Sequence, residues 1–282
     1  MKKMLKIYWL VFGVVLLVFT SCENSGDIGN PPELPPYESM AMDFDDFSNN
    51  KSLITENKSY EIATNENWFY SALVVGFWNT TLFANLAVPV AAYKTAFAHT
   101  PVSLENNKWQ WQYTVEGFTS QYTARLTAEL TSEDILWEMY IMKTGIEGFE
   151  EFLWFSGVSQ LDARSGYWVL NHSANFPENM LLIDWLVEND EVGSIKYTYV
   201  RELNDNRETD TFKGSYILYG LKDTDLDAFY NVHAFNNDIS EFVDVAIEWS
   251  RTNYNGHVRS LSYFENDNWH CWDGTGQDID CE

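Results

Sequence analysis

From residue 109 to the C-terminus, apolar and polar residues alternate in short runs, the period of a half-buried strand. The alternation predicts strands at 109–116, 122–130, 135–143, 152–160, 166–172, 180–188, 194–201, 211–221, 229–235, 242–250, 257–263 and 268–272. The faces can be read. Leu181, Ile183, Trp185 and Val187 share one side of their strand, with Asp184 and Glu188 on the other. Val243, Val245, Ile247 and Trp249 likewise oppose Asp244, Glu248 and Ser250. One dry face and one wet face mark a sheet with a single core side. Segments 162–166, 189–193 and 253–256 carry the Gly, Asn and Asp of tight turns, so neighbouring strands pair antiparallel as a meander.

Residues 68–97 follow another pattern. From Asn67 to Tyr93 the chain has no charged residue, and apolar side chains fall on nearly every side of a helical wheel. This predicts one or two helices, with Pro89 kinking or breaking the run. A helix apolar all round belongs in a core or a membrane. Asn79, Thr80, Thr81 and Asn85 are awkward in lipid, which favours a helix buried against the sheet. The expected fold is therefore α+β and mainly β. A long, curved antiparallel meander sheet, a half-barrel or barrel, packs over an N-terminal apolar helix or helix pair at about 67–98.

The N-terminus reads as an address. Lys2, Lys3 and Lys6 precede an uncharged apolar run, 8–19, too short to span a bilayer as a mature helix. Phe19-Thr20-Ser21-Cys22 follows, with small residues before a cysteine. This stretch resembles the lipobox of bacterial lipoproteins, with Phe19 where Leu is usual. The resemblance implies a signal peptide over 1–21 and diacylglycerol on Cys22, hence attachment to a membrane through acyl chains. Residues 22–36, rich in Gly, Ser, Asn and Pro, read as a flexible tether, and 37–282 as a single β-rich domain. Glu23 after the cysteine favours the outer membrane over the inner one. Segment 37–62 is transitional. Its alternating residues 39–44 could pair as a short strand, and Asp43, Asp45 and Asp46 are expected to be solvated.

Composition narrows the function. The chain carries 42 acids against 17 bases, a formal net charge of −25, and losing the three lysines of the signal takes it to −28. Such a chain is repelled by nucleic acid, so no nucleic-acid partner is expected. With Cys22 lipidated, Cys271 and Cys281 remain, and an oxidising compartment favours a disulfide between them. Two free thiols, or a metal pair with His270, are the alternatives.

Chemical motifs are sparse. No phosphate-binding glycine loop, nucleophile elbow or zinc helix occurs, and His99, His172, His233, His257 and His270 lack ligand spacing. Asp223, Asp225 and Asp227 open like a calcium loop. Ala228 then stands where Gly is required and Ala234 where Glu is expected. The Asp273–Asp278 segment could wrap a cation, though turn chemistry explains it equally well, and a pair such as Glu150–Glu151 is expected by chance among so many acids. No catalytic residue, metal site or cofactor is expected. Trp137, Trp154, Trp168, Trp185 and Trp249 sit on successive predicted strands, either as a core belt or as the lining of a cavity for an apolar or glycan ligand.

A lipid-anchored curved sheet with helices is similar, in architecture only, to periplasmic lipoprotein carriers of the LolA and LolB type. The lipobox and acidic mature chain are similar to cell-envelope lipoproteins of Bacteroidota. The expected role is non-enzymatic binding of a hydrophobic or glycan ligand at the outer membrane, on its periplasmic or surface side. The alternatives are a structural or adaptor lipoprotein of an outer-membrane assembly and an extracellular hydrolase with paired carboxylates.

Overall fold

The computed structural model describes residues 29–42, 47, 64–116 and 120–281. The signal and the first part of the tether, Cys22 included, lie outside the described residues, as do Asp43, Asp45 and Asp46. One long helix, α1 (Glu66–Ala96), precedes the strands, and a single-turn helix, α2 (Leu261–Phe264), lies among the last of them. The strands are β1 (Val102–Ser103), β2 (Lys108–Glu116), β3 (Ser120–Leu130), β4 (Asp134–Gly145) and β5 (Phe149–Gln160). Next come β6 (Ser165–Asn171), β7 (Asn179–Glu188), β8 (Glu191–Tyr199), β9 (Tyr216–Leu221) and β10 (Ala228–Asn236). β11 (Glu241–Trp249), β12 (Gly256–Arg259), β13 (His270–Trp272) and β14 (Asp278–Ile279) complete the set.

All fourteen strands form one antiparallel sheet in chain order, a pure meander. β1 and β14 do not pair, so the sheet is open rather than a closed barrel. The expected alternation is present: Leu181, Ile183 and Trp185 are buried while Asp184 and Glu188 are exposed. The turn at Asn189-Asp190 places both residues at positive φ, the conformation that matches the twist of a tight hairpin.

α1 bridges the two ends of the sheet, touching β2 and β3 at one end and β12, β13 and β14 at the other. Its N-terminus is capped from the far end of the chain. The Asp278 carboxylate accepts the backbone N–H of Glu66 and of Asn67, both at 3.1 Å, and the hydroxyl of Thr64. Toward its C-terminus, Tyr113 of β2 donates its hydroxyl proton to the Ala92 carbonyl at 2.6 Å. The helix runs unbroken through Pro89.

The inner side of the sheet is filled by two things, not one. α1 supplies Trp68, Val75, Trp78, Leu82, Leu86 and Tyr93. The stretch around a 3₁₀ turn, Tyr37–Ser39, supplies Met40, fully buried, with Leu34, Tyr37 and Met42 packed alongside. Phe47 seats its ring against Tyr230 and Trp249. Where the pattern suggested a short strand at 39–44, Ser39 is instead inside the core and accepts the indole N–H of Trp168 at 3.0 Å. Residues 43–46 of that stretch are outside the described residues.

Candidate functional site

The five tryptophans of the predicted belt divide. Trp137, Trp168, Trp185 and Trp249 point inward and are buried. Trp137 donates to the Ser159 hydroxyl at 2.9 Å, Trp168 stacks on Trp185 at 6.5 Å, and Trp249 stacks on Tyr230 at 4.7 Å. Glycines make room for them. A Cβ on Gly157 would lie 2.3 Å from the Trp168 ring, and one on Gly256 would lie 2.4 Å from Trp272. Trp154 is different. It occupies the extra position of a β-bulge between β4 and β5, beside Phe149 and Phe152. Four of the five therefore serve the core, and the space they enclose is occupied by Ser39, Met40 and Phe47.

The open apolar surface lies on α1. Trp68, Ser71, Val75, Trp78, Leu82, Leu86, Pro89, Tyr93 and Ala96, all buried, recur every three or four residues and form one stripe toward the sheet, with Asn67 and Ala92 buried beside it. A helix uncharged from Asn67 to Tyr93 with one buried stripe must present apolar groups elsewhere to water. Phe69, Leu73, Phe77 and Phe83 do so, the last two 66% and 72% exposed. The helix packs against the sheet as its pattern predicts, along this one stripe rather than on every apolar side. The polar residues of the open face turn inward on the helix. Thr80, Thr81 and Thr95 donate to the carbonyls of Gly76, Phe77 and Ala91, and the Asn85 amide donates to Thr81. By length and composition α1 is able to cross a bilayer.

Along the C-terminal half of α1 this surface deepens into a groove of about 490 Å³. One wall is the helix, with Asn79, Leu82, Phe83, Leu86, Ala87, Val90, Ala91 and Lys94; the other is Ala41 and Met42; Tyr197 of β8 forms the floor. Ala87 and Ala91 leave the depth, and Phe83 gives the rim its bulk. Hydrogen bonds fix the second wall. Tyr197 accepts the Met42 N–H at 2.7 Å and donates to the Met40 carbonyl at 3.3 Å, and Tyr93 donates to the Pro35 carbonyl at 2.7 Å. Burial pushes the phenols of Tyr93, Tyr113 and Tyr197 up from their ordinary value, so all three remain protonated donors. The groove is thus walled by fixed segments and, among the described residues, has one charged lining residue, Lys94.

The acid motifs of the sequence have structural partners. Asp227 accepts the backbone N–H of Arg251 at 2.8 Å and its Nε at 3.0 Å. Asp273 accepts the N–H groups of Thr275 and Gln277 within its own turn. Glu151 holds Arg125 through two bonds of 2.9 Å. Cys271 and Cys281 form a disulfide, with Cα atoms 5.3 Å apart. The histidines are dispersed: His99 stacks on Tyr113, His172 meets Arg201, His257 lies against Trp269, and His270 lies against Phe264. His233 stands between Tyr216 and Phe242 on the outer face and meets the Asp244 carboxylate at 2.7 Å, beside a depression of about 690 Å³. Among the described residues, no three His, Cys, Asp or Glu side chains gather as a metal site.

The residues that pattern reading missed are Ala41, Met42, Lys94 and Tyr197. One signal was available. Lys94 is the first charge after the uncharged run that begins at Asn67. No family model matches the chain, and neither a curated protein nor a solved structure is similar to it.

Proposed function

We propose that this is a non-enzymatic lipoprotein of the cell envelope, anchored through acyl chains on Cys22 at the outer membrane, and that it binds a hydrophobic ligand against α1. The observation that carries this reading is the groove beside Leu86: apolar, open and walled by a segment that hydrogen bonds hold in place. Its volume falls within the roughly 300–1,000 Å³ of small-molecule sites. The tether is consistent with the arrangement, since Cys22 stands thirteen positions before Pro35, which Tyr93 holds beside the helix. The ligand place is the flank of the helix rather than the tryptophan belt.

The test is to fill the groove. Ala87 is an exposed position on its wall. Ala87→Trp is expected to abolish uptake of an apolar fluorescent probe while leaving the far-ultraviolet circular dichroism unchanged. Unaltered uptake in a folded variant removes the proposal. A second reading, an adaptor of an outer-membrane assembly, is favoured by Phe69, Leu73 and Phe77, which extend the apolar face beyond the groove toward the helix N-terminus. Cross-linking through this face to one stoichiometric partner is its expected result.

A further inference from the structure

We propose that the groove ligand is a single-chain amphiphile with an anionic head, a long-chain carboxylate, its head at Lys94 and its chain running back along α1 toward Asn79. This rests on the apolar-ligand reading and adds the head group and the direction. Charge carries the argument. The protein has a formal net charge of −25, yet among the described residues the one charged side chain lining the groove is a cation. No carboxylate neutralises it: among the described residues Lys94 enters no ion pair, and its ammonium sits over the Tyr37 ring at 4.3 Å from the centroid. An ammonium on a ring face keeps N–H donors free, and at the edge of apolar surface its attraction for an anion is less screened than in bulk water.

Length agrees with this assignment. Asn79 and Lys94 are fifteen residues apart on one helix, about 22 Å at the α-helical rise, a span suited to one extended acyl chain. Between them the helical wall is Leu82, Phe83, Leu86, Ala87, Val90 and Ala91, with no charged group. The neutral end, at Asn79, offers an amide and no cation, so the groove has a polarity that orients an amphiphile. A merely structural Lys94 has an available role too, since a cation in the last helical turn complements the helix dipole. The two roles differ in one respect: only the first makes binding depend on the ligand's charge.

The experiment uses the full chain, anchor intact, held in an amphipol. It is titrated with cis-parinaric acid and with the methyl ester of that acid, whose fluorescence rises in apolar surroundings. The wild type is expected to bind the acid about tenfold more tightly than the ester, the size of one charge-assisted contact. Lys94→Gln is expected to bring the acid down to the affinity of the ester, and Lys94→Arg to restore the difference. Lys94 is exposed, so both variants should stay folded with a melting temperature within a few degrees of the wild type, which is measured in parallel. Equal affinity for acid and ester, or a preference that survives Lys94→Gln, overturns the head assignment and leaves apolar binding standing. Binding of neither probe overturns the groove reading itself, and this proposal with it.

Discussion

At the scale of single residues, the core is governed by paired choices across strands. Gly157 faces Trp137 on one neighbour and Trp168 on the other. Replacing Gly by Ala inside a strand ordinarily stabilises, because Gly loses more freedom on folding. Here the sign reverses. The new Cβ would stand 2.5 Å from the Tyr167 carbonyl oxygen as well as 2.3 Å from the Trp168 ring, and backbone cannot yield cheaply. Gly157→Ala is expected to lower stability by about 3 kcal/mol, read as a lower urea midpoint. A second residue-scale prediction concerns acid. Burial lowers the His257 pKa; Glu248, 3.2 Å away, pulls it partly back, and Lys222 and Arg259 oppose that pull, so the net direction is down. Burial also works against ionisation of Glu248, but Lys222 and His257 outweigh it and its pKa is lowered. Both shifts act with one sign. Between the ordinary His value of about 6.5 and its depressed folded value, the unfolded chain binds more protons, so stability falls as pH falls. Glu248 adds a further loss as pH drops through its own lowered pKa. His257→Gln should flatten the upper part of this decline in urea midpoints taken from pH 8 to pH 5. A wild type equally stable across that range would refute the assignment.

At the scale of elements, the C-terminal strands serve the helix that begins some two hundred residues earlier. The disulfide ties Cys271 in β13 to Cys281 beyond β14, and so holds Asp278 on the N-terminus of α1. Closing a loop of 10 residues stabilises by roughly 2–3 kcal/mol in the chain-entropy picture. Asp278→Ala removes a capping carboxylate and should cost about 1 kcal/mol. In the reduced protein the same substitution should cost measurably less, because the cap is then already loosened; equal costs in both states would separate the two devices. Much of this level was legible beforehand. Each of the twelve strand periods has a counterpart, from β2 to β13, because a wet face and a dry face impose alternation on the residues themselves. Two ends differ most from the pattern. The strand expected from 211 starts at Tyr216, since Asp210 takes the N–H of Phe212 and Gly214 turns at φ 97°. The strand expected to reach 263 stops at Arg259, and α2 follows. β1 and β14, two residues each, are too short to show a period. The uncharged face of α1 was visible, but not which side of it meets the sheet. The groove joins residues 41–42, 79–94 and 197, and no local pattern records that meeting.

At the scale of the whole molecule, an open meander poses a problem of cooperativity. Each strand pairs only with its sequence neighbours, as in a repeat array, where stability is a sum of local terms and the ends can fray alone. α1 changes that. It rests on β12, β13 and β14 near one end and on β2 and β3 near the other, so the first and last strands share a partner although they do not pair. The segment around Met40 adds a second link from inside, through Ser39 to Trp168 in β6 and through Met40 and Met42 to Tyr197 in β8. A molecule connected in this way should unfold as one unit. Tryptophan fluorescence, which reports mainly the sheet core, and circular dichroism at 222 nm, which reports mainly α1, should therefore give the same midpoint in urea. Tyr93→Phe tests the link. It strips the Pro35 carbonyl of the donor that Tyr93 now provides, at an expected cost of about 1–3 kcal/mol. Because the helix holds both ends of the sheet and the inner segment its middle, that cost should move the two midpoints together. If the circular dichroism midpoint shifted while the fluorescence midpoint stayed in place, α1 would be a passenger on a sheet that folds without it, and the walls of the groove would not be fixed by the fold.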